Sequence, residues 1–398
     1  MLIHERATAA GWTSGGAPGD LGHWHGGGAA SRVAAALRKP VMRILQIAPP
    51  WFSVPPSGYG GTEQTVSLLA EGLVHAGHEV VLVASGGSTT AGRLVTTFAR
   101  PPTGQLGDAE LELAHALAGY RLAGEVDLIH DHTTLGPALG ALLDGPPVVH
   151  TLHGPWTAST VELSRRISDR VSLVAISHDQ ADRTPAHIRL AGMVHNGIDV
   201  AAHPYVATKD DYLAYVGRAC PEKAPELAIE VARRLDRRLL LAVKVNQPDE
   251  HDYFATHIAP ALDRGDVELV DVTSHADKCT LLGGATAVLF PASWPEPFGL
   301  VPVEANACGT PVVAFANGAV PEVIEHGRNG LLVAPGDLDA FTEATEQISQ
   351  IPPASCRQTA LERFAAAQMV ANYQQLYQRL VPLSTATGGL PPATRART

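Results

Sequence analysis

The chain is predicted to fold as two α/β domains, each a doubly wound parallel sheet, facing a central cleft. Three observations carry this. From Arg43 onward, strand-length apolar runs alternate with helix-length stretches, the pattern of parallel sheets covered on both faces. The alternation breaks once, over 204–211, and then starts again. A length of 398 residues suits two domains of ordinary size.

Residues 1–41 are rich in Gly, Ala and His without a period, as in Gly11-Trp-Thr-Ser-Gly-Gly and His23-Trp-His-Gly-Gly-Gly28. They lack the apolar core of a signal peptide. A disordered extension is expected, or an upstream start codon with the folded protein beginning at Met42. His23 and His25 could bind a metal, but a floppy extension is the simpler reading. The first domain, 42–205, reads as a strand at 44–48, a helix at 62–76, and strands at 79–84, 126–130, 147–152 and 173–176. Each strand is a short run rich in Val, Ile and Leu. The second domain, 212–360, restarts with strands at 213–216, 239–243, 267–270, 287–290 and 311–315. The amphipathic pattern over 361–380 predicts a last helix, ending by 381. The Gly-, Pro- and Thr-rich stretch 382–398 is expected to be disordered.

Composition narrows the function. A net charge of −11 argues against nucleic acid, because binding phosphates needs a basic face. Residues 42–205 hold 9 Lys and Arg against 15 Asp and Glu, which argues against docking on an anionic lipid surface. Arg165, Arg166 and Arg170 are a local exception, read as a solvated helix face. No apolar run approaches the ~20 residues of a membrane span. Four cysteines (Cys220, Cys279, Cys308, Cys356) stand without a C-x-x-C. That pattern suits a reducing compartment, and hence the cytoplasm, with no structural metal.

The stretch richest in chemistry is Glu296-Pro-Phe-Gly-Leu-Val-Pro-Val-Glu304. Strand 287–290 feeds it through Pro291-Ala-Ser-Trp-Pro-Glu-Pro297, and a helix follows. Pro302 falls in that helix's first turn, where its missing N–H was unpaired anyway. The free N–H groups of Gly299, Leu300 and Val301 then make an anion site. Glu296 stands in the loop before it, and Glu304 lies roughly 8 Å further along the helix. The layout offers a carboxylate near a reacting centre, amides for a phosphate and a second carboxylate for hydroxyls.

Other strand ends add to this. Val216-Gly-Arg-Ala-Cys-Pro-Glu-Lys223 places Arg218 and Lys223 in one loop. Two fixed cations suit a phosphate-bearing group, above all one on which negative charge accumulates. Gly60-Gly61 opens helix 62–76, so a backbone without Cβ can approach an anion at a positive helix end. His153 ends one strand; Asp131 and His132 end another on the same face. The last two are acceptor contacts or are hydrogen-bonded within their own loop. The long loop through Tyr59 is expected to shape the acceptor pocket. Lys244 either lines the nucleotide site or snorkels. Asp337-Leu-Asp339 has a D-x-D form but begins a helix, so N-capping is the sufficient reading.

The Glu-x7-Glu run followed by Ala307-Cys-Gly-Thr-Pro-Val312 resembles the donor-site signature of the retaining glycosyltransferases of the family-4 type, which have the GT-B fold with two Rossmann-like domains. The resemblance spans roughly 42–380. It implies a nucleotide-sugar donor, UDP- or GDP-linked, and a hydroxyl acceptor on a small molecule or oligosaccharide. Glu304 would hold the ribose hydroxyls and Glu296 the sugar hydroxyls, beside Phe298 and the amides of Gly299, Leu300 and Val301. His153, in Leu152-His-Gly154, matches the histidine that contacts the transferred sugar, and Gly60-Gly61 the glycines beside the phosphates. Arg218 and Lys223 match Gly-Arg-x-x-x-x-Lys, although Ala224 replaces the glycine that usually follows. His275 falls where relatives hold the nucleobase through backbone groups. Asn317-Gly-Ala-Val-Pro-Glu322 is similar to the turn that closes the sugar end. The last helix would cross back to the first domain. Metal-independent transfer without a cofactor is expected. Two other readings are a nucleotide-sugar 2-epimerase on the same fold and a protein that only binds.

Overall fold

The structure is a computed structural model that describes residues 41–58, 60–262, 265 and 267–381. The extension 1–40, Tyr59 and the tail 382–398 lie outside these described residues, as do the expectations made for them. Strands β1 (Arg43–Ile47), β2 (Glu79–Ala84), β3 (Arg93–Thr96), β4 (Leu128–Asp131), β5 (Val148–Thr151), β6 (Val171–Ala175) and β7 (Leu190–Met193) form one sheet. Its order is β3-β2-β1-β4-β5-β6-β7. Strands β8 (Leu213–Arg218), β9 (Leu239–Lys244), β10 (Val267–Leu269), β11 (Ala287–Phe290), β12 (Val312–Phe315) and β13 (Gly330–Val333) form the other, in the order β10-β9-β8-β11-β12-β13.

The strand pairings are parallel. β4, β11 and β12 are buried along their whole length, as expected of strands covered on both faces. In each sheet the winding direction reverses once, between β1 and β4 and again between β8 and β11. Such switch points open a crevice at the carboxyl ends of the strands. The chain therefore delivers the loops after β1, β4, β8 and β11 to the crevices.

Three strands carry no clear sequence signal. β3 and β7 are half-exposed or exposed at every position, so neither shows an apolar run. β13 is four residues beginning with glycine. The predicted last helix also needs correction. Residues 361–363 end the helix Pro353–Arg363, and a separate helix runs Ala366–Leu380. Between them Phe364 O accepts from Ile198 N at 2.8 Å, and Ala366 N donates to Ile198 O at 2.9 Å. Ile198, in the linker between β7 and β8, draws two backbone groups out of the helical ladder there.

The helix Ala366–Leu380 packs into the first sheet's core. Met369, Val370, Tyr373, Leu376 and Tyr377 are buried there with Ile44, Leu69, Leu73 and Leu128. A second tie joins the sheets. Glu322, beyond β12, accepts at 2.8 Å and 2.7 Å from the amides of His178 and Asp179 at a helix start beyond β6. It also pairs with His195 Nε2 at 2.8 Å. Arg165 and Arg166 pair with Glu162 and Arg170 with Asp144 on an exposed face, which is the solvated reading. No helix among the described residues is long and apolar enough to cross a membrane.

Candidate active site

Residues from both sheets surround a cavity of about 290 Å³. The first contributes Gly61, Thr62 and His153; the second contributes Arg218, Lys223, Trp294, Glu296 and the segment from Phe298 to Val301. Its floor on the second side is a helix start. Gly299 caps the helix Leu300–Ala307 with φ 97°, a left-handed conformation that glycine takes without strain. No side chain caps that end, so its amides are left for an anion. A Cβ on Gly61 would meet Leu300 Cδ1 at 2.9 Å. The two sides of the cavity meet at this contact.

The charged groups are held by neighbours. Lys223 Nζ donates to Glu296 Oε2, which also accepts from Trp294 Nε1 at 2.9 Å. The ammonium lies 5.3 Å and 5.6 Å from the Trp294 and Phe290 ring centres, within cation–π range. Ala224 takes φ 47°, so alanine keeps the left-handed turn that glycine serves elsewhere. Arg218, at the end of β8, donates through Nη1 to Glu250 Oε1 at 3.0 Å. Glu250 is 2% exposed, and its Oε2 accepts from the amides of Asn246 and Gln247. A carboxylate anchored in this way fixes the direction of the guanidinium.

His153 is ordered from behind. Its Nε2 lies 2.9 Å from His132 Nδ1, and His132 Nε2 lies 2.8 Å from Gln46 Oε1. Gln46 Nε2 donates to the Tyr377 hydroxyl at 3.3 Å. Because Gln46 Oε1 can only accept, His132 carries its proton on Nε2 and accepts at Nδ1. His153 then carries its proton on Nε2 and presents Nδ1 as a lone pair. Burial holds His153 neutral, with its pKa lowered to about 3. Burial likewise holds His132 well below the usual range, with His130 and His153 adding repulsion.

Several predicted residues stand elsewhere. Asp131 takes the intraloop alternative: its Oδ1 accepts from Thr133 N and Oγ1 at 2.8 Å each, and its side chain is not in the cavity wall. His132 sits behind His153 rather than in the wall. Gly60, with φ 139°, caps the helix Gly61–His75. Glu304 lies further along its helix, paired at 2.6 Å with Lys278. Lys244 is exposed and outside the wall, as snorkelling requires. Asp337 accepts from Ala340 N at 2.9 Å and Asp339 from Arg234 at 2.7 Å, so the D-x-D is spent on a helix start. Sequence reading missed Glu250, Trp294, Lys278 and Gln46.

Glu63, the third residue of the helix Gly61–His75, gives a separate test. It is 4% exposed, and burial pushes its pKa up from 4.5 to about 7. A carboxyl raised in the folded state stabilises while protonated and loses that contribution as pH rises from 4.5 through 7. The cost above pH 7 is on the order of 3 kcal/mol. Glu63→Gln is expected to stabilise the protein at pH 8 and to change little at pH 4.5, by urea unfolding. A gap independent of pH would contradict the buried-carboxyl account.

The comparisons with known proteins fall on this geometry. A family model described as "Glycosyltransferase Family 4" matches residues 59–202, and one described as "Glycosyl transferases group 1" matches 203–363. A D-inositol 3-phosphate glycosyltransferase of Mycobacterium avium is 30% identical over 287 residues, covering 61% of this chain and 65% of that protein. The chain thus spans just under two thirds of that relative. A glycogen synthase of Mycobacterium tuberculosis is 28% identical over 381 residues, covering 81% of this chain and 89% of that protein. Among solved structures, AviGT4, a glycosyltransferase involved in avilamycin A biosynthesis, superposes with a TM-score of 0.66 at 23% identity, covering 85% of this chain and 98% of its own. Anabaena HepE, solved with UDP and glucose, gives 0.66 at 20%, covering 84% and 98%. These structures share the fold.

Proposed function

Because the chain belongs to the family-4 type of glycosyltransferases, with the GT-B fold, we propose that it moves a sugar from a nucleotide diphosphate sugar to an acceptor hydroxyl with retention at the anomeric carbon. The observation that carries this is the convergence of Arg218, Lys223, Glu296 and an uncapped helix start on one cavity. The diphosphate sits between the two cations and the amides of Gly299, Leu300 and Val301. As the bond from the anomeric carbon to the phosphate oxygen lengthens, those donors meet the growing negative charge, and they are already in place.

Both fixed donors to Glu296 converge on Oε2, which leaves Oε1 for a sugar hydroxyl. Tied to Lys223, that carboxylate is placed to orient and not to attack, unlike the nucleophile of a retaining glycosidase. The neutral Nδ1 of His153 accepts from another sugar hydroxyl. The acceptor approaches on the face that the diphosphate leaves; its oxygen bonds to the anomeric carbon, and its proton passes to the departing phosphate oxygen. Glu304 serves the ribose. The transfer needs no metal in this scheme, and the acceptor is a small molecule or an oligosaccharide.

Incubation with labelled UDP- and GDP-sugars tests the reading. Nucleoside diphosphate released only when an acceptor is present is the expected result. An altered sugar still attached to the nucleotide would mean epimerase instead, and binding without turnover would mean a binder. A thermal-shift series of nucleoside diphosphates in EDTA is expected to raise the melting temperature. No shift in EDTA, restored by a divalent cation, would overturn metal independence.

A further inference from the structure

We propose that His203, His275 and Cys279 form a binding site for a zinc ion beside the linker between the two sheets. Their ligand atoms lie within 4.8 Å of one another. His203 follows the short turn Val200–Ala202 after the first sheet, whereas His275 and Cys279 stand one turn apart on the helix His275–Gly284 of the second. An i, i+4 pair shares one helix face, and here that face meets the linker.

The His203 ring points to a ligand. It is 3% exposed. Its Nδ1 lies 2.7 Å from the Asp199 carbonyl, which can only accept, so Nδ1 carries the proton. Its Nε2, a bare lone pair, has no hydrogen-bond partner. A buried acceptor left unpaired costs free energy, and a metal ion removes that cost. Donation of the other ring N–H to a backbone carbonyl is also how metal-bound histidines are oriented. Burial lowers the pKa of this ring, which keeps it in the neutral form that binds metal.

Distances decide whether an ion fits. Cys279 Sγ is 3.3 Å from His275 Nε2. Tetrahedral zinc, with bonds of about 2.0–2.3 Å, requires edges of about 3.4–3.6 Å between ligand atoms. One edge is already within about 0.3 Å of this length, and the others need to close by about 1.4 Å at most. Two imidazoles and a thiolate favour zinc over the oxygen-seeking Mg²⁺ and Ca²⁺. On binding, the Cys279 thiol gives its proton to solvent, and the His275 ring proton, carried on an Nε2 that lies 3.1 Å from the Ala202 carbonyl oxygen, passes to Nδ1. The charged neighbours Lys278 and Glu304 neutralise each other in a 2.6 Å pair. His275 is exposed, which gives the ion an entry path and leaves a fourth position for water. The isolated cysteines predicted no structural metal because these ligands share no motif.

Chelator-stripped full-length protein titrated with Zn²⁺ in a calorimeter is expected to bind at this site, and titration with Co²⁺ to produce thiolate-to-cobalt absorption in the near ultraviolet. His275→Ala, at an exposed position, is expected to weaken zinc binding by at least about a hundredfold, more than loss of a supporting partner costs. Cys279→Ser is expected to remove the cobalt band. Histidines in 1–41 can bind cobalt only through nitrogen and give no such band. Wild-type protein without the band, or a band undiminished in Cys279→Ser, overturns the site.

Discussion

Lys223→Met is expected to slow release of nucleoside diphosphate from the sugar donor by about a hundredfold to a thousandfold, the loss seen when one fixed donor is removed from a developing anion. The side chain sits 17% exposed against a Glu296 side chain 10% exposed, so neither charge is well solvated. Removing the ammonium also leaves a mostly buried carboxylate held by Trp294 Nε1 alone among the described side chains. Breaking such a pair costs roughly 3–5 kcal/mol. Adding Glu296→Gln to the same chain removes the stranded charge, so stability recovers while turnover stays low. Rates and urea unfolding on the same samples separate the two effects. Turnover of the single variant within tenfold of wild type would end the assignment of Lys223 to the leaving group.

Gly318→Ala is the second large loss, and it touches no charged group. Gly318 has φ 62°, and a Cβ there would lie 2.3 Å from Glu296 N and 2.5 Å from Glu296 O. The two residues also form a bridge, and Ala319 N donates to Glu296 O at 2.8 Å. The backbone that carries the carboxylate must move by about 1 Å, a displacement that can cost about a hundredfold in rate. Gly327→Ala is the matched control, with φ 82° and open space where its Cβ would sit. It is expected to cost about 1 kcal/mol of strain and no rate. Equal rate losses in both variants would show that backbone strain, not the place of Glu296, sets the effect.

These two cases also show what was legible beforehand. Lys223 and Glu296 could be read because each sits in a contiguous loop beside a buried strand, and proline and glycine mark both loops. Gly318 could be read as a turn, but not as a neighbour of Glu296. Glu250 reaches Arg218 from thirty-two positions away, and Gln46 meets His132 across eighty-six. No spacing rule encodes such meetings; the sheet order creates them by placing β1 next to β4 and β8 next to β9. The same holds for the fold. Fully buried strands announced themselves, whereas β3 and β7, at the edges of their sheet, did not. The break at Phe364 has no proline or glycine to mark it, because a pairing with Ile198 makes it.

The burial of Tyr373 and Tyr377 among Ile44, Leu69 and Leu128 has a consequence for biosynthesis. Residues of β1 leave the ribosome before the other strands, yet the apolar surface they must cover is completed by side chains translated more than three hundred positions later. At roughly 5–20 residues per second, the nascent first lobe waits tens of seconds with that face uncovered. Its maturation therefore waits on the late helix, and any stop codon before position 373 strands a lobe whose own sequence is intact.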